Sequence, residues 1–293
     1  MIGRRGVMGG AVMGALGGAG AARAEDGFRA LPDVFRRIEA ARGGRLGVAV
    51  LDTGSRRAAG YRAAERFPLG STYKVLAAAA VLARADAGQE SMERRIRFTR
   101  EELVTHSPVT EGAAGGEGMT LAALCEATMV TSDNTAGNLV LRALGGPEGL
   151  TAWLRGLGDE VTRLDRWETA LNEARPGDAR DTTTPAAMLG DLRAVTVGTA
   201  LSEGARARLT GWLRGNRTGD ARLRARLPAG WQAGEKTGTG AHGTSNDVGL
   251  LWPPGGAAPV LVTAYLTEAA ADGAIRDAAL AEVGAAVAAA WAA

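Results

Sequence analysis

What the chain has little of narrows what it does. Its 293 residues include one cysteine and two histidines. One cysteine cannot form an internal disulfide, and two isolated histidines with one thiol do not assemble a zinc cluster. A Ser-His-Asp triad would have to use His106 or His242. Neither sign of charge is in excess: 34 lysines and arginines face 32 aspartates and glutamates, for a net charge of +2. Aromatics make up 4 % of the chain and no basic stripe interleaves with them, which argues against nucleic-acid binding. Beyond the first two dozen residues no apolar run is long enough to span a bilayer. Catalysis here must therefore run mainly on hydroxyls, lysines and carboxylates, with no metal and no cofactor expected.

What is present supports a large core, with 46 % hydrophobic and 23 % charged residues. Residues 1–24 read as an export signal. Arg4-Arg5 precede a Gly/Ala/Met-rich apolar stretch, and Ala22-Arg23-Ala24 fits a small-x-small cleavage site. The mature protein would begin near Glu25, in the periplasm or outside the cell. Cys125 falls in an apolar helical pattern with Leu121, Leu124 and Met129, as a buried small hydrophobe.

Strand patterns cluster at both ends of the chain. Leu46–Leu51 and Ala58–Arg66 come early; Ala233–Thr239, Asp247–Trp252 and Val260–Leu266 come late. Leu31–Ala41 reads as a short helix with Pro32 in its first turn. Helical patterns dominate from Lys74 to about Leu213, and Ile275, Ala279, Val283 and Val287 mark an amphipathic C-terminal helix. The fold expected is mixed α+β: an antiparallel five-stranded sheet from both termini, flanked by helices, with an inserted all-α domain. Residues 25–64 with 215–293 would form the α/β domain, and 65–214 the helical one.

The chain is organised around Phe67-Pro68-Leu69-Gly70-Ser71-Thr72-Tyr73-Lys74. The Ala-rich run from Lys74 to Ala83 has high helix propensity and almost no polar face, which marks a buried helix. Ser71 would sit in its first turn with Lys74 three residues on, on the same face. A serine hydroxyl is a poor nucleophile until a base takes its proton, and a desolvated lysine can be that base. First-turn N–H groups favour a forming oxyanion. The bland alternative is a serine N-cap beside a surface lysine, so the partners decide. Ser132-Asp133-Asn134 offers a hydroxyl to pass a proton and an amide to bind a carbonyl, unless it is only a turn. Lys236-Thr237-Gly238-Thr239-Gly240 lies on an expected strand. There Lys236, Thr237 and Thr239 can hold a carboxylate, and the Thr239 N–H can complete an oxyanion hole. Gly238, Gly240 and Gly243 also match G-x-G-x-x-G, but a dinucleotide fingerprint opens a helix and this stretch reads as strand.

S-x-x-K, S-D-N and K-T-G in that order resemble the penicillin-recognising serine enzymes. Arg166-Trp167-Glu168-Thr169-Ala170-Leu171-Asn172 and Pro176 to Thr183 are similar to the omega loop of class A β-lactamases, here 163–182. The resemblance implies Ser71 as nucleophile, Lys74 and Ser132 as proton-handling groups, and Glu168 as activator of the deacylating water. Asn172 would help hold that water, and Arg166 with Asp181 would close the loop neck. Asn134, Lys236, Thr237, Thr239, Arg222 and His106 would bind substrate. The family leaves open whether Lys74 or Glu168 deprotonates Ser71 during acylation.

Some positions depart from the family pattern. Thr169 stands where many members carry a proline joined by a cis peptide, and His106 where many carry an aromatic ring. The flanking sequences look most like the serine carbapenemase branch, but Gly70 and Gly240 occupy the places of its disulfide. Cys125 matches half of the commoner family disulfide, with Ala78 at the other half. The resemblance implies hydrolysis of the β-lactam amide of penicillins and cephalosporins through a serine acyl-enzyme, conferring antibiotic resistance, by an exported monomer. The alternatives are a D-Ala-D-Ala carboxypeptidase or penicillin-binding protein, and a β-lactam sensor that stays acylated. Glu168 with Asn172 argues against the first, and the absence of a membrane segment in the mature chain against the second.

Overall fold

The computed structural model describes Met1 and residues 18–293. The expected signal segment, 1–24, lies for most of its length outside the described residues. Five antiparallel strands form the central sheet: β1 (Arg45–Asp52), β2 (Ala58–Tyr61), β7 (Gln232–Gly240), β8 (Thr244–Trp252) and β9 (Val260–Thr267). Their order is β2-β1-β9-β8-β7, so the N-terminal hairpin joins the C-terminal meander through β1 and β9. The expected fold class is the observed one. Four two-residue strands complete the set: β3 (Phe67–Pro68) pairs β6 (Thr182–Thr183), and β4 (Arg95–Ile96) pairs β5 (Met119–Thr120).

Residue choice explains these elements. All eight residues of β9 are buried, in keeping with a continuous apolar strand covered on both faces. On one face lie α1 (Gly18–Arg42) and α8 (Gly273–Ala292), where Phe35, Leu46, Val262, Val283 and Val287 share one cluster. On the other lie α2 (Tyr73–Asp86), α3 (Leu121–Val130), α4 (Asn134–Leu144), α5 (Pro147–Leu157), α6 (Pro185–Thr196) and α7 (Glu203–Arg214). There α2 is buried from Tyr73 to Leu82, and alanine is what lets helices and sheet close around it on every side. Cys125 is buried in this cluster, and burial pushes its thiol up to about 12.

Three expectations about elements need correction. The first helix is not the short Leu31–Ala41: it is bounded at Gly18 and Arg42, and Pro32 lies in its interior. The second strand stops at Tyr61 because Arg62 adopts φ +46° and turns the chain away. In α8, Ala279, Val283 and Val287 are buried as the period of four requires, whereas Ile275 in the first turn is 38 % exposed.

Between α5 and α6, the carboxyls of Asp159 and Asp191 come within hydrogen-bond reach of one another. Asp191 is buried and its Oδ2 has no partner among the described residues, while Asp159 Oδ1 accepts the Val161 and Thr162 amides at 2.7 and 3.0 Å. Burial, then the charge of Asp159, push Asp191 up to about 9. Burial opposes ionisation of Asp159 too, but the Thr162 hydroxyl and these amides outweigh it and hold that carboxyl below its usual range. The shared proton therefore sits on Asp191. An unfolded chain loses this proton near pH 4. The folded state binds more protons between there and about pH 9, so the contribution of Asp191 to stability falls as pH rises through that window. Asp191→Asn cannot ionise yet can still donate to Asp159. Urea denaturation should find it more stable than wild type by about 1–3 kcal/mol near pH 8, with the gain vanishing near pH 4. A less stable variant near pH 8 would show that no ionisation penalty exists.

Candidate active site

The site forms where the edge strand β7 passes the approach to α2. Gly70–Thr72 is one 3₁₀ turn, so Ser71 precedes the helix rather than occupying its first turn, and Lys74 takes that place. Glycine permits the contact. Gly70 has φ +48°, and a Cβ there would lie 3.2 Å from the Thr239 nitrogen. A Cβ on Gly238 would lie 2.8 Å from the Leu69 carbonyl oxygen and 3.2 Å from the Ser71 nitrogen. The Ser71 and Thr239 amides thus flank one narrow seam.

The Ser132-Asp133-Asn134 turn joins α3 to α4 with Ser132 at φ +59°. It is held from outside. Asp133 caps α4 through Ala136 N–H at 2.8 Å and accepts Val109 N–H, Thr110 N–H and the Thr110 hydroxyl. His106 accepts Asn134 N–H on its carbonyl at 2.9 Å, and its ring Nε2 lies 2.9 Å from the Thr131 carbonyl oxygen. Ser132 Oγ then accepts from Lys74 Nζ at 3.3 Å and from Lys236 Nζ at 3.0 Å. Both of its lone pairs are occupied, so its proton must point away from both lysines.

Lys74 is fully buried. Its ammonium donates to Ser132 O at 2.8 Å and Asn134 Oδ1 at 2.6 Å, and pairs with Glu168 Oε1 at 3.1 Å. Burial depresses its basicity, and Glu168 opposes that only in part. Lys236, equally buried, also donates to Thr237 O at 2.8 Å. Burial and the neighbouring Lys74 charge put it well below the usual lysine range. Two amines are therefore held in the form of readily lost protons around one hydroxyl.

Glu168 enters from the 163–182 loop. Its Oε1 accepts from Ser71 Oγ at 3.4 Å and its Oε2 from Asn172 Nδ2 at 2.6 Å. The Glu168–Thr169 peptide is cis. The loop neck is an ion pair, Arg166 Nε to Asp181 Oδ2 at 2.5 Å, and Asp181 Oδ1 accepts the amides of Asp165 and Arg166. Two further stitches reach the rest of the site: Leu69 N–H donates to Asp181 O, and Ala241 N–H to Asn172 O.

A cleft of about 320 Å³ is lined by Ser71, His106, Ser132, Asn134, Asn172, Arg222, Thr237 and Thr239, with Thr218 beside them. Lys74, Glu168 and Lys236 sit beneath its surface through the bonds just given, so all eleven candidate residues meet in one place. Arg222 donates to Asp277, Gly238 O, Asn246 O and Thr239 Oγ1, each at 2.8 Å, leaving one of its five N–H groups uncommitted among the described residues. Sequence reasoning missed Thr218, whose hydroxyl lies 2.5 Å from that of Thr237, and Asp277. It also missed Asn138, which holds the Glu168 backbone at both ends: Oδ1 accepts its N–H at 2.9 Å and Nδ2 donates to its carbonyl at 3.0 Å. The signal for Asn138 was its place four residues after Asn134, on the same face of α4.

A hydroxyl set against a carboxylate, with two buried amines and paired amides beside it, is the apparatus of a serine acyl-transfer enzyme. A family model described as β-lactamase enzyme family matches residues 30–291. Among curated relatives, β-lactamase FAR-1 of Nocardia farcinica is 53 % identical over 74 % of this chain and 69 % of its own. CTX-M-8 of Citrobacter amalonaticus is 48 % identical over 79 % of each. Among solved structures, an ancestral (GNCA) class A β-lactamase is 60 % identical with a TM-score of 0.86, over 88 % of this chain and 98 % of its own. A putative class A β-lactamase PenP from Rhodopseudomonas palustris is 56 % identical with a TM-score of 0.86, over 89 % and 99 %. The chain belongs to the β-lactamase enzyme family, as a class A serine β-lactamase.

The seam between β7 and the Ser71 turn has no room for another carbon. Gly238→Ala should lose about 1–3 kcal/mol in urea denaturation and slow acylation at least tenfold. Gly112→Ala, where an added Cβ meets nothing within 4 Å, is the matched control. A Gly238→Ala variant indistinguishable from that control would refute the tight-seam account.

Proposed function

We propose that the chain opens the β-lactam amide of penicillins and cephalosporins through a Ser71 acyl-enzyme, and thereby confers antibiotic resistance. Ser71 Oγ attacks the lactam carbonyl, whose oxygen is received by the Ser71 and Thr239 amides. The substrate carboxylate is met by Lys236, Thr237, Thr239 and the uncommitted N–H of Arg222. The amide of Asn134 and the ring of His106 contact the acyl side chain. Ser132, whose proton is turned away from both lysines, relays that proton to the departing lactam nitrogen, and a lysine behind it restores the proton. Glu168 faces the nucleophile directly, and Lys74 pairs with that same carboxylate oxygen at 3.1 Å, so deprotonation of Ser71 draws on this pair.

The single observation that carries hydrolysis, rather than trapping, is the placement of Glu168. One oxygen faces the nucleophile at 3.4 Å while the other is fixed by Asn172 at 2.6 Å. Asn172 Oδ1 is buried without a partner among the described residues, as an acceptor for a hydrogen of the attacking water. Water thus activated cleaves the acyl ester and restores Ser71.

The proposal extends to the setting of the enzyme. Residues 1–24 direct export to the periplasm or medium, residues 25–64 with 215–293 and residues 65–214 form its two lobes around the cleft, and it acts as a monomer. Among the described residues no helix is long and apolar enough to cross a membrane.

Intact-protein mass after adding benzylpenicillin, with hydrolysis followed in parallel, tests the core of this reading. Wild type should turn over and return to its free mass, whereas Glu168→Ala should accumulate a covalent adduct and lose at least a hundredfold in turnover. Wild type that stays acylated would identify a penicillin-binding protein or sensor instead.

A further inference from the structure

We infer that Thr218 is a positioning residue for substrate anchoring: it takes up the proton of the Thr237 hydroxyl and so weakens the hold of the cleft on a carboxylate. The inference rests on the β-lactamase reading and concerns which anchoring groups the site prefers. Three oxygens stand in line at the cleft wall. Thr237 Oγ1 lies 2.5 Å from Thr218 Oγ1, which lies 2.8 Å from Asn216 Oδ1. Thr218 is half-buried and lines the cleft with Thr237, and Asn216 is buried next to it.

The direction of the protons in this line is fixed from its inner end. The Thr218 backbone N–H also donates to Asn216 Oδ1, at 3.1 Å, so the atom there is the amide oxygen and only accepts. The Thr218 hydroxyl must give its one proton to that oxygen, because two bare oxygens at 2.8 Å repel. Thr218 can then only accept from Thr237, whose proton turns away from the cleft. An arriving carboxylate meets a lone pair of Thr237. Thr239, two residues on along β7, is the opposite case. Its Oγ1 accepts from Arg222, and its own proton has no acceptor among the described residues.

A carboxylate therefore arrives one proton short. In the empty cleft two oxygen–oxygen contacts share two hydroxyl protons. The carboxylate adds a third contact and no proton, so one contact is left bare whichever way the hydroxyls turn. Lys236, Arg222 and Thr239 still anchor it, less tightly than the same residues would without Thr218. An anchoring group with an N–H of its own brings the missing proton and finds the line already suited to it.

Single-turnover acylation by benzylpenicillin tests this, because its half-saturating concentration reports binding and its limiting rate reports chemistry. Two different changes each leave one proton per contact: Thr218→Val removes the middle hydroxyl, and Asn216→Ala removes the terminal acceptor. Each should lower the half-saturating concentration about threefold to tenfold, for one hydrogen bond regained, with the limiting rate within about twofold of wild type. Thr218→Ser keeps the line and should match wild type. The C3 carboxamide of benzylpenicillin, measured as a competitor, should bind wild type and variants alike. Thermal melts identify the folded variants, and either Thr218→Val or Asn216→Ala suffices. A half-saturating concentration that stays level or rises overturns the inference and leaves the β-lactamase reading standing. So does a change carried by the limiting rate, an equal gain with the carboxamide, or a serine variant that behaves like valine. Wild type that is never acylated overturns both.

Discussion

The site depends on the burial of two lysines around one serine hydroxyl. Lys74 and Lys236 are each 0 % exposed, and both reach Ser132 Oγ. Burying two like charges side by side is unfavourable unless carbonyls, amides and a carboxylate take up their N–H groups. Ser132 O, Asn134 Oδ1, Thr237 O and Glu168 Oε1 do so, from three separate stretches of chain. The same desolvation that costs stability lowers the basicity of both amines and prepares them to exchange protons. Stability and reactivity are thus set against each other in one cluster.

The rest of the molecule can be understood as what keeps that cluster in register. The sheet presents β7 as an edge, Gly70 and Gly238 let it touch the Ser71 turn, and the buried alanines of α2 let the helices close behind it. The loop bearing Glu168 has little regular structure, yet it is tied at its neck by Arg166 and Asp181, at its tip by Ala241 and from beneath by Asn138. A loop held at so many points behaves as part of the scaffold, which is what positioning a carboxylate beside a nucleophile requires.

Much of this was legible in the sequence. The apolar runs of β1 and β9, the alanines of α2 and the period of α8 report burial directly, because packing selects for residue type at each position. The three motifs and the loop could be read as a constellation because their chemistry tolerates few substitutes. What escaped was of two kinds. Boundaries set by single backbone conformations, such as the turn at Arg62 or the interior Pro32, carry no pattern longer than one residue. Supporting groups such as Asn138, Thr218 and Asp277 act through pairing across distant segments, and a lone polar residue in a helix or loop looks the same whether or not a partner awaits it. His106 fell between: the resemblance singled out its position, but its clasp on Thr131 needed the left-handed backbone that brings ring and carbonyl to opposite sides of Ser132.

The way the sheet is assembled has a consequence for how the chain folds. The first hairpin gains its central neighbour only when Arg45 meets Thr267 and Asp52 meets Val260. Until that meander is present β1 has only β2 beside it, and a lone hairpin is marginal in water. The contacts that complete the sheet are among the longest-range in the molecule, the kind that slow folding. The nucleophile turn leans on Gly238 and Thr239 of β7, so a chain cut short before that strand lacks the contact that holds Ser71 in place.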